Sequence, residues 1–123
     1  MGLGVGATPS GDDLLAGLVV AFRRGLGAQG LSQRSATRLA AACLAAAGRT
    51  TPLARARLVH AAADEVDEAL DGLFPAVFAG DRAGVWQGVA RVVRAGHASG
   101  TDTLAGVILG LRLALERGYT SSP

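Results

Sequence analysis

Thr8-Pro9-Ser10-Gly11-Asp12-Asp13 runs without a break into Leu14-Leu15-Ala16-Gly17-Leu18, and the junction reads as a helix start. A serine at the N-cap accepts from a backbone N–H one turn in, and an acid three residues later reaches back to the cap's own N–H. Asp13 stands at that third position. The same pattern returns near the other end. Ser99-Gly100-Thr101-Asp102-Thr103-Leu104-Ala105-Gly106 matches Ser10–Gly17 at Ser, Gly, Asp, Leu, Ala and Gly, with a constant, ungapped offset of 89 residues. Capping accounts for the serine and the acid of each copy. It does not account for the glycine between them, which costs about 1 kcal/mol in a helix relative to alanine and is kept where something approaches the backbone closely.

Outward from these two starts, helical spacing of apolar residues divides the chain into five helices. The first spans about Asp12 to Leu26, with Leu14, Leu15, Leu18, Val19 and Phe22 as its stripe, Gly17 as a point of close helix contact, and Gly25 and Gly27 as its end. The second runs from Ser32 as cap to about Ala47, with Gly48 as its stop and Cys43 as a buried, inert thiol. Thr51-Pro52 opens the third, proline being harmless at a first helical position. This helix carries Leu58, Val59, Ala62, Val66 and Leu70, with His60 and Asp64 paired at i, i+4. Pro75 breaks or kinks the path, and Leu73, Phe74, Val77 and Phe78 form a short apolar turn. Asp81 caps the fourth helix, Arg82 to Ala95, with Val85, Trp86, Val89, Val92 and Val93 facing the core. The fifth, Thr101 to Arg117, buries Leu104, Val107, Ile108, Leu111 and Leu115, and Gly118 closes it. No alternating run marks a strand, so the fold class is all-α: one compact helical domain over residues 1–123.

Composition narrows the function classes. The 123 residues suffice for one modest core. All twelve basic residues are arginine, and the net charge is only +2. The pI near 9.5 therefore reflects arginine's high pKa rather than a strong positive field, and no nucleic-acid partner is expected. Arg34, Arg38, Arg49, Arg55 and Arg57 lend some basic character, but the aspartate-rich repeat has no role on DNA. A single cysteine rules out an internal disulfide. No signal peptide is evident, and Arg23-Arg24 and Arg112 interrupt the two best apolar runs, so no membrane partner is expected either. The expected location is the cytoplasm. Gly2, Gly4 and Gly6 imitate a phosphate loop, but no strand precedes them.

If the two motif-bearing helices lie side by side with like polarity, their N-termini converge. Free backbone N–H groups would then meet the residues of both motifs. Thr8, Ser10, Gly11, Asp12, Ser99, Gly100 and Thr101 are the candidate binding residues, and Asp13, Asp102 and His97 the candidate catalytic ones. Helix N-termini attract anions, whereas three carboxylates repel them. A Mg²⁺ on the carboxylates that carries a phosphate would reconcile the two. So would a ligand with N–H donors facing Asp and anionic oxygens facing the backbone. The plain alternative is two capped helices and no ligand.

Gly6-Ala7-Thr8-Pro9-Ser10-Gly11-Asp12-Asp13-Leu14-Leu15-Ala16-Gly17 and Gly96-His97-Ala98-Ser99-Gly100-Thr101-Asp102-Thr103-Leu104-Ala105-Gly106 together resemble an uncharacterised-domain family. That family includes a subunit of the bacterial oxamate carbamoyltransferase of allantoin breakdown. Ala7 stands where the family usually has leucine and Ala98 where serine is frequent. The resemblance covers the chain end to end, corresponding to the C-terminal portion of a typical member. It implies partner protein subunits and a role in moving a carbamoyl group between a ureido acid such as oxalurate and phosphate. The alternative is a non-catalytic assembly module whose glycine-bearing first and last helices pack on a partner.

Overall fold

A computed structural model of the chain describes residues 10–46, 52–96 and 98–121. All regular structure among them is helical: α1 (Ser10–Ala28), α2 (Arg34–Ala46), α3 (Pro52–Ala62), α4 (Glu68–Ala79), α5 (Arg82–Gly96) and α6 (Ala98–Ser121). The all-α expectation holds, with six helices among the described residues instead of five. Thr8, Gly48, Thr51 and His97 lie outside the described residues, as does the side chain of Ser10.

The extra helix comes from a break in the expected third one. Asp64 adopts φ 61, and the Asp64 and Glu65 N–H groups close back onto the Ala61 and His60 carbonyls. This is the left-handed C-terminal cap that glycine normally supplies. Aspartate tolerates the conformation better than most side chains, and Arg24 of α1 holds it there, its Nε 3.0 Å from Asp64 Oδ1. Arg24 also pairs with Asp71 at 2.7 Å and lies over the Phe74 ring, 4.9 Å from its centroid. The expected His60–Asp64 helical pair therefore does not form. Asp67 then caps α4, its carboxylate accepting from the Leu70 N–H. Pro75 sits inside α4 without ending it. The residue one turn before it, Asp71, whose carbonyl the proline cannot serve as a donor, is exposed. Gly80, not Pro75, ends the helix, with φ 69. Gly30 does the same for α1, which runs past Gly25 and Gly27. Asp81 caps α5 as expected, accepting from the Gly84 N–H.

α1 is the central element, and its most extensive partner is α6. The two run side by side with like polarity, because their contacts advance in step. Gly17 lies on the Thr103 carbonyl, Gly110 on Leu18 and Phe22, and Gly25 on Ala114. Gly106 in turn lies on the Leu14 carbonyl. Positions 14 and 103, and 17 and 106, are each 89 apart, so the two contacts are related by an approximate two-fold exchange of the helices. The small residues extend the sequence repeat: Gly17, Ala21 and Gly25 correspond to Gly106, Gly110 and Ala114.

This close pairing rotates α6 relative to expectation. Its buried face is Gly100, Thr103, Gly106, Val107, Gly110 and Ala114, while Ile108 and Leu115 are more than half exposed. On α5, Val92 is buried and Val85 and Val89 are half-buried, but Trp86 and Val93 point outward. The main core gathers Val19, Val20, Leu58, Leu70, Leu73 and Phe74, with Cys43 among them. Burial pushes the Cys43 thiol up, away from thiolate chemistry, as expected for an inert buried cysteine. No helix of the described residues is long and apolar enough to cross a membrane.

Glycines without a packing duty should behave oppositely to those of the α1–α6 pair. An added Cβ at Gly72, exposed on α4, meets nothing within 4 Å. Gly72→Ala is expected to stabilise the protein by about 0.5–1 kcal/mol, read as a higher denaturation midpoint with an unchanged m-value.

Candidate functional site

The first turns of α1 and α6 come together with the middle of α3. Asp13, on the first turn of α1, is 1% exposed. Its carboxylate does not serve its own helix's cap. Instead Oδ1 lies 3.2 Å from Arg57 Nε of α3, and Arg57 Nη1 donates to Ser99 Oγ at the start of α6 at 3.4 Å. Three helices thus meet through Asp13, Arg57 and Ser99, residues far apart in the chain. In α6 the position of the expected cap differs. α6 begins at Ala98, so Ser99 lies inside the first turn, and its carbonyl accepts from the Thr103 hydroxyl at 2.9 Å.

Several groups act on the Asp13 carboxyl. Burial raises its pKa above the ordinary value of 3.8; the nearby Ser99 hydroxyl and the Arg57 charge pull it down; Asp102 and Asp12 push it up. The net result is a raised pKa. The Arg57 contact is an ion pair, and the Ser99 hydroxyl hydrogen-bonds this carboxyl. A carboxylate buried this deeply is costly to ionise, and its raised pKa beside a specific charge partner makes Asp13 a functional-site candidate.

Among the sequence-derived candidates, Asp12, Asp13, Ser99 and Asp102 therefore share one electrostatic neighbourhood. Asp12 is also 1% exposed, and Asp102 is half-buried. Thr101 is exposed. Gly100 has a packing explanation: a Cβ there would lie 2.5 Å from the Val92 carbonyl of α5. The approach to its backbone that the sequence required is made by a helix rather than a ligand. Gly11 is half-buried at the start of α1.

Arg57 was legible only as one of several surface arginines, because nothing local in α3 distinguishes it. Arg57 also lines a cleft of about 410 Å³ between α1, α3, α4 and α6. Ala16 and Gly17, His60, Glu65, Val66, Asp67 and Thr103 form other parts of its wall. His60 Nδ1 lies 3.7 Å from Glu65 Oε1, both side chains well exposed, a weak surface contact. No group of three or more His, Cys, Asp or Glu side chains among the described residues is arranged to hold a metal ion.

In sum, the arrangement offers buried anionic acceptors, one guanidinium, a hydroxyl and two helix N-termini beside a cleft of small-molecule size. The family model described as oxamate carbamoyltransferase subunit AllH matches residues 1–111 of the chain. Nothing among the curated proteins or the solved structures matches significantly.

Proposed function

The chain belongs to the family of oxamate carbamoyltransferase subunit AllH, and from that premise we propose that it contributes a small-molecule site where α1 and α6 begin. The ligand is a carbamoyl or ureido acid, or the phosphate that exchanges with it. Its N–H donors meet Asp13 and Asp102, and its oxygens meet Arg57 and the free N–H groups of the two first turns. We assign proton handling to Asp13 and Asp102, and, from the sequence motif alone, to His97. From the sequence motifs, Thr8, Ser10, Gly11, Asp12, Ser99, Gly100 and Thr101 are the proposed ligand-binding residues. Mg²⁺, where it takes part, would come in with a phosphate ligand. A subunit family implies partner proteins, with which the chain completes a carbamoyl-transferring system.

The observation that carries this reading is Asp13: a carboxylate 1% exposed, paired with Arg57 of another helix and raised in pKa by its burial. A cap has no need of such a group. The test is a thermal melt of the chain with phosphate, carbamoyl phosphate, oxalurate or oxamate, each with and without Mg²⁺. Ligand at about 100 times its dissociation constant adds roughly 2.7 kcal/mol, a shift of several degrees at this size. Asp13→Asn and Asp102→Asn are expected to erase the shift without lowering the melting temperature of the free protein. Lower melting temperatures with the ligand shift intact would restore the capping role.

A second reading has its own support. Trp86, Ile108, Leu115 and Tyr119 are exposed by 74%, 58%, 55% and 80%, large apolar and aromatic side chains of the kind that protein interfaces use. An assembly module without a ligand site would use them. Gly17, Gly25, Gly106 and Gly110 are not available for that purpose, because they lie in the contact between α1 and α6.

A further inference from the structure

α6 turns one long face away from the rest of the protein. Ile108, Leu109, Arg112, Leu115, Glu116 and Tyr119 lie on it, all exposed, at the spacings of three and four that share one side of a helix. The opposite side is braced. Gly106, Gly110 and Ala114 lie in the contact with α1, Gln29 donates to the Ala114 carbonyl at 2.8 Å, and Arg117 donates to the Ser35 hydroxyl of α2 at 2.8 Å. Apolar side chains thus flank two opposite charges one turn apart. Arg112 and Glu116 form no ion pair or hydrogen bond among the described residues, with each other or with any neighbour. Cation before acid is also the less favourable order for an i, i+4 pair within one helix.

Two-fold symmetry supplies the partners that a single copy lacks, because it brings position i onto j and j onto i. Arg112 and Glu116 are each two residues from Ala114, and Leu109 and Tyr119 are each five. When two α6 faces meet antiparallel with the axis at the level of Ala114, Arg112 of each copy faces Glu116 of the other. The same register sets Leu109 against Tyr119, again twice. A parallel pairing would oppose like charges instead. The face is therefore complementary to itself in one orientation, the arrangement by which charges fix the register of an interface. We propose that this face of α6 is a self-association surface and that its occupant is a second copy of the chain, packed antiparallel with reciprocal Arg112–Glu116 ion pairs. The proposal stands independently of the ligand site.

Sedimentation equilibrium of the full chain and its charge-reversed variants tests it. The unaltered protein is expected to show a monomer–dimer equilibrium with a dissociation constant below about 1 mM. Arg112→Glu and Glu116→Arg should each weaken the dimer at least about tenfold, since both reciprocal attractions become repulsions. An equimolar mixture of the two variants should recover the dimer, as should both exchanges in one chain, because each restores opposite charges at the facing positions. That recovery also shows that the variants fold. A monomer at every concentration up to about 1 mM, or a dimer that neither reversal weakens, overturns the proposal. So does a weakened dimer that neither the mixture nor the double exchange restores.

Discussion

Gly106→Ala is expected to destabilise the protein by about 2–3 kcal/mol, although the same change would stabilise an isolated helix by about 1 kcal/mol. A Cβ at Gly106 would run into the Leu14 carbonyl and come within 2.9 Å of the Leu18 nitrogen. Both are backbone atoms of α1 and cannot rotate aside, so the helices must separate along their most extensive contact. Overpacking of this kind costs typically 1–3 kcal/mol beyond any propensity gain, a large share of a domain's usual 5–15. Gly17→Ala meets the Thr103 carbonyl in the mirrored contact and should cost about as much. The double variant should cost less than the sum, because the first substitution already moves the helices apart. Denaturant unfolding with unchanged m-values reads all three. A gain in stability from either single change would contradict the close pairing of α1 and α6.

Arg57→Leu is expected to cost about 2 kcal/mol at pH 7, and Asp13→Asn in the same chain should recover most of it. Removing one partner of a buried ion pair costs roughly 3–5 kcal/mol. The Arg57 side chain is 36% exposed, and solvent screening reduces the figure. The pH dependence identifies the cause. Asp13 has a raised pKa in the folded protein, burial being the largest influence. Its contribution to stability is therefore present in full below its ordinary value of 3.8 and is lost as pH rises through the raised folded value. Arg57 opposes that rise. Without Arg57 the folded value moves higher still, so the deficit of Arg57→Leu against the unaltered protein should grow with pH and shrink in acid. An equal deficit at low and neutral pH would mean that Arg57 acts through packing alone.

Much of this organisation is visible in local sequence, because caps and stripes are local physics. Asp81 announces α5, and the repeat at Ser10 and Ser99 announces two equivalent helices. What local reasoning could not reach was settled by contacts across the chain. Asp64 ends α3 because Arg24, 40 residues away, holds it in a conformation usually left to glycine. Ile108 and Leu115 face outward because α6 buries its small residues against α1, and a stripe of leucines misleads where glycines allow the closest approach. Within the candidate site, Asp13 and Ser99 were expected to serve separate caps. They are joined instead through Arg57, whose importance depends entirely on where α3 lies.

The central claim is a ligand site at the paired beginnings of α1 and α6, and backbone amide NMR during titration with N-carbamoylglycine tests it most directly. Saturable shifts concentrated at Gly11–Asp13 and Ser99–Thr103 are expected, with the Arg57 side-chain Nε–H moving in step, all lost in Asp13→Asn. Saturable shifts confined to other residues, or none at any concentration, would contradict it.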